Sequence, residues 1–134
     1  MLVTDEGIKN TSWSDEIQKI LNEANIQTVI YDDVSANPRD FQVMKGAKIF
    51  EEEDCDSIVA VGGGSVMDMA KLINILAVQH TDDSEIIKNN ELIQNNGLPL
   101  IAIPTTVGTG SEATHFSVVY IDKVKYSLAH KYLL

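Results

Sequence analysis

The sequence predicts an α/β fold, a Rossmann-like parallel sheet with helices on both faces, built as one domain over residues 1–134. Two observations predict it. Short, continuously apolar runs such as Ile58-Val59-Ala60-Val61 and Leu100-Ile101-Ala102-Ile103 alternate with amphipathic segments of helical length, and unbroken apolarity belongs to strands covered on both sides. Three consecutive glycines, Gly62, Gly63 and Gly64, then stand between such a run and a helical segment, the place where a strand turns into a crossover helix. The order reads βαβαβα, for which right-handed crossovers follow.

Taken in order, residues 2–4 read as a strand end. Residues 13–24 read as a helix, with Ile17, Ile20, Leu21 and Ala24 spaced as one buried face and Ser12 or Ser14 as its cap. A short strand is expected at 27–31, then the loop "DDVSANP", then a helix over 39–52 presenting Phe41, Met44, Ala47 and Phe50. Residues 58–61 form a third strand and 66–79 a third helix. The polar stretch "HTDDSEIIKNNELIQNNG" is expected on the surface, and residues 100–103 make a fourth buried strand ended by Pro104. Residues 115–121 and 124–128 read as a hairpin about Asp122 and Lys123.

Composition narrows the function classes. With 44% hydrophobic and 22% charged residues the chain has the material of an ordinary globular core. A formal net charge of −10 argues against nucleic-acid and anionic-membrane partners, so any phosphate must be held locally. Cys55 is the single cysteine, which rules out an internal disulfide, and no leader or long apolar span is present, so a cytoplasmic location is expected.

Two loops carry the chemistry. At Gly62-Gly63-Gly64-Ser65 the backbone N–H groups and the positive end of the following helix converge on one point, an anion site. Glycines permit positive φ and keep Cβ atoms away from a ligand, and Ser65 adds a hydroxyl donor. Ser65-x-x-Asp68 also fits a capping box. The second loop, "IPTTVGTGSEAT", sets Thr105, Thr106 and Thr109 beyond another strand; hydroxyls suit a polyanion, although such residues also make local turns. Both loops hang from carboxyl ends of parallel strands, where open α/β sheets bind ligands.

In "LVTDEGI", "DDVSANP", "VAVGGGSVMDMAK" and "LIAIPTTVGTGSEAT" the chain resembles the amino-terminal domain of the metal-dependent, iron-containing alcohol dehydrogenases. The resemblance implies NAD as cofactor, with NADP as the alternative, and hydride transfer between an alcohol and an aldehyde or ketone. By position it implies Asp5 at the adenosine ribose, favouring NAD over NADP, and Asn37 near the cofactor. Gly62, Gly63, Gly64 and Ser65 form the pyrophosphate cradle, with Asp68 a further motif position. Thr105, Thr106 and Thr109 form the second cofactor loop, and Val118 and Lys125 line the nicotinamide side.

Members of that family carry a helical domain whose aspartate and histidines hold iron or zinc. No such segment is read in this chain: His80, His115 and His130 are scattered, and no Asp-x-x-x-His or His-x-x-x-His pair occurs. The expectation is a truncated domain, inactive alone, with no catalytic or metal-ligating residue of its own and a small alcohol or aldehyde as the substrate of the complete enzyme. Self-association into a homo-oligomer is expected through surface left bare. A phosphate- or nucleotide-binding module without redox role is the alternative, and "THFSVVY" with "KYSLAH" resembles the branch that reduces phosphonoacetaldehyde.

Overall fold

The computed structural model describes residues 1–80 and 85–133. Four parallel strands, β1 (Leu2–Val3), β2 (Ile30–Tyr31), β3 (Ile58–Gly62) and β4 (Leu100–Pro104), form a sheet in the order β2-β1-β3-β4. In register, Val3 lies between Tyr31 and Ala60, and Gly62 stands opposite Pro104. The reversal of direction between the β1-to-β2 and β2-to-β3 crossovers sends α2 (Ser12–Glu23) to one face and α3 (Asp40–Glu52) and α4 (Gly64–Gln79) to the other. A short α1 (Glu6–Lys9) precedes α2, and α5 (Glu85–Lys88) follows α4. The hairpin of β5 (Phe116–Ile121) and β6 (Val124–Ala129) is a separate antiparallel pair lying on α4. Its turn is at Asp122 and Lys123, both at positive φ, the two-residue form whose twist matches a hairpin.

α4 is the centre of the molecule. The sequence reads there as amphipathic, yet residues 66–77 are all buried, because sheet, α3, hairpin and the carboxyl-terminal turn surround the helix. Polar residues survive inside it by finding partners: the Asn74 side chain accepts from Leu98 N–H at 2.9 Å and donates to the Leu98 carbonyl at 2.8 Å, mimicking a strand neighbour.

Six expectations are corrected. The proposed buried face of α2 is not buried: Ile20 is 57% exposed, Ala24 is exposed, and Ser14 is the helix's only buried residue. Its cap is Thr11, whose hydroxyl donates to the Ile8 carbonyl, rather than Ser12 or Ser14. In α3 the buried stripe is Gln42, Val43, Gly46, Ala47 and Phe50, with Phe41 turned to solvent. β4 is an edge strand, not a buried one. Among the described residues no helix covers the second face of its outer edge, and Ile101 and Ile103 are exposed there. Within the stretch read as polar surface, α5 buries Ile86 and Ile87, and Ile93 is buried beyond it; residues 81–84 of that stretch lie outside the described residues. The second strand is also shorter than read, two residues instead of five.

Candidate functional site

Three strand ends meet on one rim of the sheet. At the end of β1 the Thr4 hydroxyl donates to the Val61 carbonyl at 2.9 Å, and at the end of β4 Thr105 N–H donates to the Gly62 carbonyl at 2.9 Å. The glycine turn is thus tied on both sides at the carboxyl edge, where α/β sheets hold ligands.

The glycines are there for space, not for unusual torsions. Gly63, the residue before α4, has φ −83° and ψ −172°, which any residue adopts; positive φ occurs instead at Gly108 (+97°) and Gly110 (+68°), in the second loop. A Cβ on Gly62 would lie 2.5 Å from Val66 Cγ2, so that position is fixed by internal packing. Beyond it the two loops face each other: a Cβ on Gly63 would come within 3.1 Å of Thr106 Oγ1, and one on Gly64 within 3.1 Å of Thr109 Cγ2 and 3.3 Å of Ser111 Oγ.

No side chain caps α4, so the Ser65–Asp68 capping box is not formed. The Gly63 carbonyl accepts from Val66 and Met67 N–H, leaving the first-turn N–H groups of Gly64 and Ser65 directed outward with the positive helix end behind them. Ser65 spends its hydroxyl on the Ala36 carbonyl at 2.7 Å, so it ties "DDVSANP" to the glycine turn instead of offering a free donor. That tie brings exposed Asn37 to the same rim. Thr105, Thr106 and Thr109 are exposed, and Thr109 Oγ1 accepts from Ser111 N–H at 3.3 Å.

The hairpin closes the far side. Val118 N–H donates to Asp68 Oδ2 at 3.0 Å, and Tyr120 N–H donates to the Pro38 carbonyl at 2.8 Å. Asp68 is buried, which pushes its carboxyl above the usual range; the Val118 amide, the Ser111 hydroxyl and the ammonium groups of Lys71 and Lys125 pull the other way. Val118 and Lys125 therefore belong with Asp68, with Lys125 exposed on β6.

Asp5 is the cap of α1: its Oδ1 accepts from Ile8 N–H at 2.9 Å. Two carboxylates the sequence reading passed over sit nearby at the end of β2. Asp33 is engaged by Lys45 at 2.7 Å and by the Gln42 amide at 2.9 Å, and Asp32 pairs with Lys9 at the surface. An acid at the end of the second strand is the usual ribose partner in dinucleotide folds, and "YDDV" after an apolar run was the available signal. Lys71, buried on α4, was also missed, since a lysine in an amphipathic helix reads as a solvent-facing residue.

Among the described residues no three His, Cys, Asp or Glu side chains converge as a metal set. His115 lies tilted against Phe116 and His130 meets Tyr132 edge to face, while His80 lies 3.5 Å from Glu51. Among the described residues no helix is long and apolar enough to cross a membrane.

A family model described as "Iron-containing alcohol dehydrogenase" matches residues 1–134. The "Choline dehydrogenase" of Bacillus subtilis (strain 168) is 40% identical over 121 residues, covering 89% of this chain and 30% of that protein. The "NAD-dependent methanol dehydrogenase" of Bacillus methanolicus is 35% identical over 119 residues, 89% of this chain and 31% of that one. The crystal structure of a 1,3-propanediol oxidoreductase superposes with a TM-score of 0.88 at 37% identity, over 99% of this chain and 35% of that chain. The chain thus spans about a third of the length of the relatives it matches.

Proposed function

The chain belongs to the iron-containing alcohol dehydrogenase family, and from that membership we propose that residues 1–134 bind the dinucleotide of an NAD-dependent oxidoreductase interconverting a small alcohol and its aldehyde or ketone. One observation carries the reading: the uncapped amino end of α4 at Gly63 and Gly64 lies directly beside Thr106 and Thr109, so close that an added Cβ would touch them, and the two loops form one continuous rim of donors. A pyrophosphate satisfies the Gly64 and Ser65 N–H groups and takes hydroxyl donors from the opposite loop. With a net charge of −10 the chain as a whole does not attract an anion, so the attraction has to come from local donors such as these.

NAD, when bound, supplies the hydride acceptor or donor; the chain binds and orients it. Asn37 and the Ser65-anchored loop border the ribose side, and Val118 and Lys125 line the opposite, nicotinamide side. Asp5 and Asp32, at the ends of the neighbouring strands β1 and β2, share the adenosine ribose. Asp32 caps no helix, and although Lys9 pairs with one of its oxygens, it is the carboxylate we assign to repel a 2′-phosphate. The described residues make no metal set, so no step here is assigned to iron or zinc, and the isolated chain is expected to bind without turnover. The proposal includes a cytoplasmic location, which the free thiol of Cys55 suits, and self-association through the apolar edge strand β4.

Fluorescence titration with NADH and NADPH tests the reading. The parent should prefer NADH, Asp32→Ser should lose that preference, and Asp5→Ala should change it less. A parent that binds neither nucleotide, or binds NADPH at least as tightly, contradicts it.

A further inference from the structure

Asp68 and Lys71 stand one turn apart on α4 and are 8% and 5% exposed. Lys71 Nζ donates to the Thr114 carbonyl at 2.5 Å and the Phe116 carbonyl at 2.9 Å, with Thr114 Oγ1 at 3.5 Å. Asp68 holds Val118 N–H, with the Ser111 hydroxyl favouring its charged form. The two side chains therefore grip four consecutive handholds, Ser111, Thr114, Phe116 and Val118, along the segment that leads from the second loop into β5.

Neither charge is comfortable there. Burial pushes the Asp68 carboxyl up and the Lys71 ammonium down, and each is only partly relieved by the other. Apolar residues of similar volume generally serve packing as well as buried charged groups or better. What the pair supplies that apolar residues would not is a directional hold on loop backbone. The held segment is the one facing the glycine turn, for Gly64 sits against Thr109 and Ser111. Pocket walls must be fixed before a ligand arrives if affinity is not to be lost in ordering them.

We propose that Lys71 and Asp68 are positioning residues of the dinucleotide site: from inside α4 they fix the 105–118 segment and thereby set the gap between the second loop and the Gly63–Gly64 turn. The inference rests on the dinucleotide reading but makes a separate structural claim. Neither side chain touches the nucleotide; Lys71 acts through the carbonyls of Thr114 and Phe116, and Asp68 through the amide of Val118.

The test compares Asp68→Asn, Lys71→Met, the double variant and Val43→Ala, a core control on α3 with no hydrogen bond to the segment, by NADH titration and amide hydrogen exchange. Asp68→Asn keeps an acceptor for Val118 N–H but loses the charge near Lys71, so its NADH affinity should fall, though less than that of Lys71→Met; parent-like affinity would remove Asp68 from the proposal. Lys71→Met loses charge-assisted bonds, and its affinity should fall about tenfold or more while exchange across 105–118 rises by a similar factor. The double variant strands no buried charge, so it should fold even if Lys71→Met does not, and should show the same two losses. Val43→Ala should lower the melting temperature while leaving both readouts unchanged. Parent-like affinity or parent-like exchange in the double variant overturns the proposal, as does equal loosening of 105–118 by Val43→Ala. The exchange arm needs no nucleotide, so a parent that fails to bind NADH refutes the dinucleotide reading while the hold on 105–118 is still judged.

Discussion

Adding one methyl group at Gly62 and at Gly64 should damage the protein in two different ways. At Gly62 the new Cβ would sit 2.5 Å from Val66 Cγ2 and 2.7 Å from Val66 Cβ. Ordinary contact is about an ångström longer, and valine is stiff at χ1 within a helix, so it cannot rotate away. Overpacking of this kind costs about 1–3 kcal/mol, which for a chain of this size lowers the melting temperature by about 4–12 °C. At Gly64 the Cβ would meet Thr109 and Ser111 at 3.1–3.3 Å, a squeeze that an exposed loop relieves by moving a few tenths of an ångström. The helical position also gains from alanine, by roughly 0.5–1 kcal/mol. Gly64→Ala should therefore melt at or near the parent temperature, yet the methyl pushes the second loop away from the amide donors of the glycine turn, and NADH affinity should fall about tenfold or more, or at least about 1.4 kcal/mol. Circular dichroism melts and NADH fluorescence titrations on the two variants read both effects. Restoring room with Gly62→Ala/Val66→Ala should recover part of the lost stability. A Gly62→Ala protein as stable as the parent, or a folded Gly64→Ala protein with undiminished NADH affinity, would refute the reasoning.

Two further outcomes follow from local geometry. Lys123 is held at φ +70° in the hairpin turn, so Lys123→Gly should stabilise the chain by about 0.5–1 kcal/mol in chemical denaturation; a loss of stability would contradict the turn geometry. Hydrogen bonds from Lys45 and then Gln42 hold the Asp33 carboxyl below the ordinary carboxylate range. A depressed folded value contributes stability above the unfolded pKa and loses it as pH falls. Asp33→Asn should thus be less stable than the parent at pH 7 by under about 1 kcal/mol, since the pair is solvent-screened. Melts repeated toward pH 3 should show that gap closing, and a gap that widens in acid would contradict the assignment.

The sequence was most legible where a residue type answers to backbone geometry alone. The apolar run 58–61, the strand-to-helix change at the glycines and the Asp122–Lys123 turn all carry local signals, and each stands where it was read. The meeting of the two loops was legible too, because parallel strands put their carboxyl ends on one rim. What failed depends on neighbours that no local pattern encodes. The apolar stripe of α2 is real as a stripe, but Ile20 has nothing to cover it. The run at β4 is as apolar as β3, yet only β3 has strands on both sides. In α4 the residues Lys71 and Asn74 carry no local signal of burial and Asp68 reads only as a motif position, whereas each is buried and bonded to backbone from distant segments. At the site itself, the identities of Ser65 and Asp5 were visible but their bonds were not. Ser65 donates to Ala36, twenty-nine residues upstream, and Asp5 caps its own short helix.

The most direct test of the central claim, that the glycine turn and the threonine loop together hold a dinucleotide pyrophosphate, is an NAD titration of the isotope-labelled chain followed by amide chemical shifts. The account predicts saturable shifts concentrated at Gly63, Gly64 and Ser65 and across Thr105, Thr106 and Thr109, with the faces of α2 and α3 silent. Absence of saturable shifts, or shifts centred on any surface other than that rim, would contradict it.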